Sequence, residues 1–81
     1  MRRGMVLMKK YDRVAVLTDR GYTIFDITDG SDISLGDIIS GYLNIRGSGK
    51  VNNLTRGQTL SVYIEASQLT SESAQSLLKN I

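Results

Sequence analysis

The 81-residue chain contains no cysteine, histidine, proline or tryptophan. Without His or Cys, one chain cannot assemble the usual ligand sets for zinc, copper, haem or iron–sulfur clusters, nor a His- or Cys-based catalytic dyad. No metal and no other cofactor is therefore expected. The lack of thiols leaves the redox compartment open. Long apolar runs are missing too: Met5–Met8 and Val14–Leu17 fall far short of the ~20 residues needed to cross a bilayer. Arg2 and Arg3 followed by so brief a run, ended by Lys9 and Lys10, do not make a signal peptide. The expected address is the cytoplasm, with no membrane partner. Length allows a single domain over residues 1–81, with a thin core that no disulfide reinforces. A self-associating surface would supply further burial.

Charge is present, in blocks that the formal total of +2 conceals. Arg2, Arg3, Lys9, Lys10 and Arg13 stand against Asp12 in residues 1–13, a net of +4. Arg20 alone stands against Asp19, Asp26, Asp29, Asp32 and Asp37 in residues 14–37, a net of −4. Such blocks fit a polyanion-binding patch beside a solvated face, or complementary patches through which copies pair. They also fit the ordinary preference of turns for Asp and of strand edges for Lys and Arg.

Period-2 alternation of β-branched, aromatic and polar residues recurs along the chain, punctuated by Gly and Asp clusters. It predicts five strands, at about 5–18, 21–27, 37–45, 51–55 and 59–66. The first is long enough to require a bend or bulge near Lys10–Asp12. Asp19-Arg20-Gly21 reads as a hairpin turn closed by glycine. Thr28 to Asp32 reads as a loop with Ile33 and Leu35 tucked beneath it, and Gly41 as a bulge, bend or close backbone approach. Arg46 to Lys50 is expected to be a flexible link. A helix is expected over about 71–80, capped by Thr70, stapled by Leu69 and Ala74, and complemented by Glu72 near its positive end. Ala74, Leu77, Leu78 and Ile81 fall at i, i+3, i+4 and i+7, one apolar stripe in need of a partner. Five short strands joined by tight turns predict an all-β, barrel-like domain of OB or SH3 architecture with a short C-terminal helix.

The sharpest candidate site is Lys9-Lys10-Tyr11-Asp12-Arg13. In a continuous extended strand, Lys9, Tyr11 and Arg13 emerge on one face, an aromatic ring between two cations. Single-stranded nucleic acid is bound by that pattern, bases on the ring and phosphates on the cations, and Arg2, Arg3 and Lys10 would extend the track. The same residues equally protect a strand from edge-to-edge pairing. Gly47-Ser48-Gly49-Lys50 is not a phosphate loop, because Asn44 replaces the first glycine of the motif and Val51 its Ser/Thr. Asp26, Asp29 and Asp32 lack the spacing of an EF-hand and fit turn chemistry. The Asn53-Leu54-Thr55 sequon means nothing without a secretory route. Ser67, Ser71, Ser73 and Ser76 have no base to activate them, and no acid, base and nucleophile combine into a catalytic set. The expected function is a non-catalytic interaction or assembly module. It would pair with its own copies or dock on a larger protein, through an uncovered strand edge or the terminal helix, with nucleic-acid binding as the alternative.

Overall fold

The computed structural model describes residues 1–80 and contains six strands and one helix: β1 (Arg2–Lys10), β2 (Arg13–Thr18), β3 (Gly21–Ile27), β4 (Ile38–Gly41), β5 (Gly47–Asn53), β6 (Gln58–Leu69) and α1 (Ser71–Lys79). Every pairing is antiparallel, and the order β1-β2-β3-β6-β5-β4 closes into a barrel through β4 and β1. The expected all-β barrel with a terminal helix is the observed fold. Closure gives every strand two neighbours, so no strand has a side that is open along its whole length.

The sixth strand comes from the expected long first one. Lys10 pairs with Arg13, and Tyr11 and Asp12 alone turn the chain, with Tyr11 at φ 54°. Two-residue hairpins match strand twist only when the backbone enters positive φ, a requirement usually met by Asn or Gly. The irregularity expected near Lys10 is therefore a full reversal. A separate bulge lies earlier, where Val6 opposes Val16 and Met8 opposes Ala15, leaving Leu7 unpaired between them. The fourth strand is shorter than expected, and Tyr42–Arg46 form its connection to β5. The fifth begins four residues early: Gly47 to Lys50 pair with Ile64 to Ser61 on β6 and are not a flexible link. Their low strand propensity is overridden by the ladder they complete.

Inward positions alternate along each strand and meet in one core of Val6, Val14, Val16, Phe25, Ile27, Ile39, Val51, Leu60, Val62 and Ile64, closed by Ile33 and Leu43 from the connections. Full burial of each such side chain stabilises the fold by about 1.5–3 kcal/mol. Ile33 tucks in as expected, whereas Leu35 lies exposed. At Gly41 a Cβ would stand 3.0 Å from Val51 Cγ1, the close approach that its place in β4 suggested.

The helix packs on the outside of the wall and covers neither end of the barrel. Ala74 and Leu78 are buried against Ala15 and Ile24, with Met8, Tyr22, Leu69 and Leu77 around them. Thr70 Oγ1 accepts from the Ser73 N–H at 3.2 Å, Asn80 N–H donates to Ser76 O, and Glu72 and Lys79 sit at the ends that favour their charges. Three of the four stripe residues are thus used, fully or in part, within the chain. Ile81 lies outside the described residues.

Candidate binding surfaces

The two charge blocks neutralise one another within the chain. Arg2 pairs with Asp19 at 3.7 Å, Lys9 with Asp32 at 3.4 Å and Arg13 with Asp26 at 2.7 Å, each joining the basic segment to the acidic one. This arrangement disperses the predicted Lys9, Tyr11 and Arg13 track. Lys9 turns toward one end of the barrel, where Nζ donates to Ile33 O at 2.8 Å. Arg13 forms a fork with Asp26 through Nε and Nη2, donates to Leu77 O through Nη1, and lies 3.5 Å from Glu65. Tyr11 stands at the hairpin tip, 79% exposed. Arg3 and Lys10 are exposed, Lys10 next to Tyr11 at the base of the hairpin tip and Arg3 at the far end of β1.

The Arg13 guanidinium holds the Asp26 carboxyl below its ordinary value, against the opposing effect of burial. Glu65 is pushed up, first by its hydrogen bond to Asp26, then by burial and by the neighbouring negative charge. Asp29 and Asp32 are depressed by backbone N–H donors, from Ser61 and from Ile33 respectively. No group of three acidic side chains among the described residues could hold a metal ion.

One end of the barrel is sealed by polar groups. Asp37 Oδ2 accepts from Asn53 Nδ2 at 2.8 Å and Ser34 N–H at 2.9 Å, and Arg56 Nε lies 3.3 Å away. Arg56 also donates to the Ser34 hydroxyl. Asn53 Oδ1 in turn accepts from the Thr55 and Arg56 N–H groups. Burial pushes the Asp37 carboxyl up, but these donors, with the charges of Arg56 and Lys9, outweigh it and leave the group below its ordinary value. Every buried polar side-chain atom among the described residues has a partner, so this end is a structural plug.

Two apolar surfaces remain. Register places Ile38, Met5, Leu17, Tyr22 and Leu69 opposite one another in a band across β4, β1, β2, β3 and β6. Helix α1 packs over its Tyr22 and Leu69 end, while Met5, Leu17 and the bulged Leu7 stay 43%, 40% and 40% exposed. The second surface is the other barrel end, where Tyr42 and Ile45, 60% and 58% exposed, overhang a recess floored by Val51, Val62 and Ile64. Sequence reasoning named neither. Met5 and Leu17 alternate as any half-buried strand residue does, and the recess depends on glycines that resemble a linker.

Fold and surfaces together define the class: a small closed antiparallel β-barrel bearing an external helix. Among the described residues no helix is long and apolar enough to cross a membrane. No family model, curated protein or solved structure matches the chain.

Proposed function

We propose that the protein is a non-catalytic assembly module that pairs with a second copy of itself through the Met5, Leu7 and Leu17 face. The observation that carries this reading is the band itself, a single apolar stripe that the chain's own helix covers at one end and leaves bare at the other. A bare extension of a face already used for packing favours a further layer. A second copy is the favoured occupant because charges of both signs border the band: Arg2 beside Asp19, with Arg3 and Arg20 nearby. A two-fold contact near Leu17 would set the Asp19 of each copy against the cations of the other. Sedimentation velocity from about 10 µM to about 1 mM tests it, since dimers of modest interfaces dissociate within that range. A concentration-dependent rise to twice the monomer mass is expected, abolished in Leu17→Lys with the fold retained. A strict monomer throughout would overturn the reading.

The nucleic-acid alternative is favoured by one observation, the exposed ring of Tyr11 at a hairpin tip with Lys10 beside it. With Lys9 and Arg13 held in the fold, two or three phosphate contacts remain available. Binding to a random single strand would then follow a log–log salt slope of about −1.5 to −2. Fluorescence anisotropy at two salt concentrations, with Tyr11→Ala as control, decides it; no binding at low salt would exclude it.

A further inference from the structure

Two residues apart on β1, Arg2, Gly4 and Val6 share the inward side of the wall. Val6 lies in the core, and a Cβ at Gly4 would stand 2.6 Å from Cγ1 of Val16, another core residue. Arg2 therefore turns into the open end of the barrel, where its side chain is 25% exposed. It lines a crevice there that shares no residue with the recess beneath Tyr42 and Ile45. The floor is Thr23 and Leu43, joined by a 3.0 Å hydrogen bond, and Thr18, whose Oγ1 accepts from the Arg20 N–H and donates to Gly21 O. Around this floor stand Arg2, Arg20, Asn44, Ser67 and Gln68.

The backbone is shaped for this corner. Tyr22 pairs with Leu69 and Ile24 with Ala66, so Ser67 and Gln68 together oppose Thr23 alone. Bulges of this kind re-aim side chains at barrel rims and beside binding sites. Gln68 takes φ 57°, in the left-handed region that residues other than glycine enter uncommonly. Strained backbone of that sort clusters where a structure holds ligands.

The chemistry of the crevice is one-sided. Of its eight lining residues seven are polar, two are arginines and none is acidic. The Thr18 and Thr23 hydroxyls are spent within the floor, which leaves the two guanidinium groups, the Asn44 and Gln68 amides and the Ser67 hydroxyl to donate. Asp19 stands outside the lining with its side chain 78% exposed, and its separation of 3.7 Å from Arg2 is too long for a hydrogen bond. The open space is about 10 Å³, room for one water-sized group such as a single oxygen of a larger ligand. Space for one oxygen, with forked cations at the rim for its neighbours, suits a tetrahedral oxyanion. A carboxylate or a phosphodiester brings one charge and two free oxygens to these donors. A phosphate monoester brings three free oxygens and a charge of about −1.5 to −2 at pH 7.

We infer that this crevice binds the phosphate group of a small phosphate monoester, one oxygen seated in the crevice beside Ser67 and the others held by Arg2 and Arg20. The test is an amide NMR titration of the full chain with methyl phosphate and, in parallel, with dimethyl phosphate, at a constant salt concentration of about 100 mM. Saturable shifts at residues 18–20, 43–44 and 67–68 are expected, with a Kd below about 10 mM for the monoester and binding at least about tenfold weaker for the diester. Arg2→Gln and Arg20→Gln should each weaken the monoester about fivefold to tenfold with the folded spectrum retained. Lys50→Gln removes the same charge elsewhere on the surface and should change the Kd less than about twofold. Because Arg2 and Arg20 also border the face proposed for self-association, the titration is run at about 50 µM and about 500 µM protein, and the same Kd is expected at both. A chain that stays monomeric while the shifts saturate supports the site and overturns the pairing. Lack of saturation, equal affinity for monoester and diester, an equal loss in Lys50→Gln, or an affinity that follows protein concentration, which would place the anion between copies, would each overturn the assignment.

Discussion

The two ends of the barrel solve the same problem in opposite ways. At one, Asp37, Asn53, Arg56 and Ser34 knit the β3–β4 connection to the β5–β6 hairpin through a buried carboxylate with several donors. At the other, glycines replace the inward side chains of β5, and the connection above them is tied by Thr23 to Leu43 and by Ile45 N–H to Tyr42 O. A core too small to fill its whole cylinder can be plugged with satisfied polar groups or left with space, and here each option occupies one end. The plugged end is expected to carry the larger share of stability, because its contacts satisfy a buried carboxylate.

Mutations should separate the ends. Asp37→Ala strips the plug of its acceptor and leaves Asn53, the Ser34 N–H and Arg56 unsatisfied, a loss of about 3–5 kcal/mol expected in urea denaturation. A change below about 1 kcal/mol would mean the plug is ornamental. Gly49→Val at the mouth should go the other way. A β-branched residue replaces a strand glycine and finds open space, so stability should be unchanged or rise by up to about 1 kcal/mol. Marked destabilisation would show that the mouth is packed.

Acid should weaken the fold, the plug included. Asp26, Asp29, Asp32 and Asp37 are all depressed in the folded state, so the unfolded chain binds more protons as pH falls, and their contribution, present above about pH 4, is lost below it. Glu65 is raised and works in the opposite sense, stabilising below its unfolded value and losing that contribution as pH rises through the folded one. Four groups against one predict a net fall in melting temperature between about pH 5 and pH 3, steeper in wild type than in Asp37→Asn. A modest effect is expected away from both ends, at the N-cap of α1. Thr70→Ala should cost about 1 kcal/mol by thermal melting and leave mouth and plug unaltered.

Much of the fold was legible where local and global preferences agree. Tyr22 to Ile27 and Thr59 to Ala66 alternate cleanly and are strands, and Thr70 with Leu69 and Ala74 announces a helix that forms as expected. The β1–β2 hairpin was hidden because Tyr11 and Asp12 are poor signals for a turn that needs positive φ. Gly47 to Lys50 were hidden because a strand of Gly, Ser and Gly owes its existence to β6, a partner more than ten residues away. The plug was illegible for the same reason, since Asp37 and Asn53 each read as turn residues until the barrel brings them within 2.8 Å. Of the candidate site, the identities of the charged residues were plain. Their partners were not, because ion pairs such as Arg13 with Asp26 are fixed by strand register.

The seam between β1 and β4 also sets the order of events in time. The earliest strand of the chain cannot complete its ladder until Ile38–Gly41 exist, and the ring cannot shut until β6 joins β3. While the chain is partial, the meander β1-β2-β3 carries two open borders lined with β-formers, and its closure depends on contacts distant in sequence. Folding is therefore expected on the millisecond-to-second scale typical of non-local β topologies. During that interval the unfinished sheet is exposed to aggregation, a hazard that closure of the ring reduces.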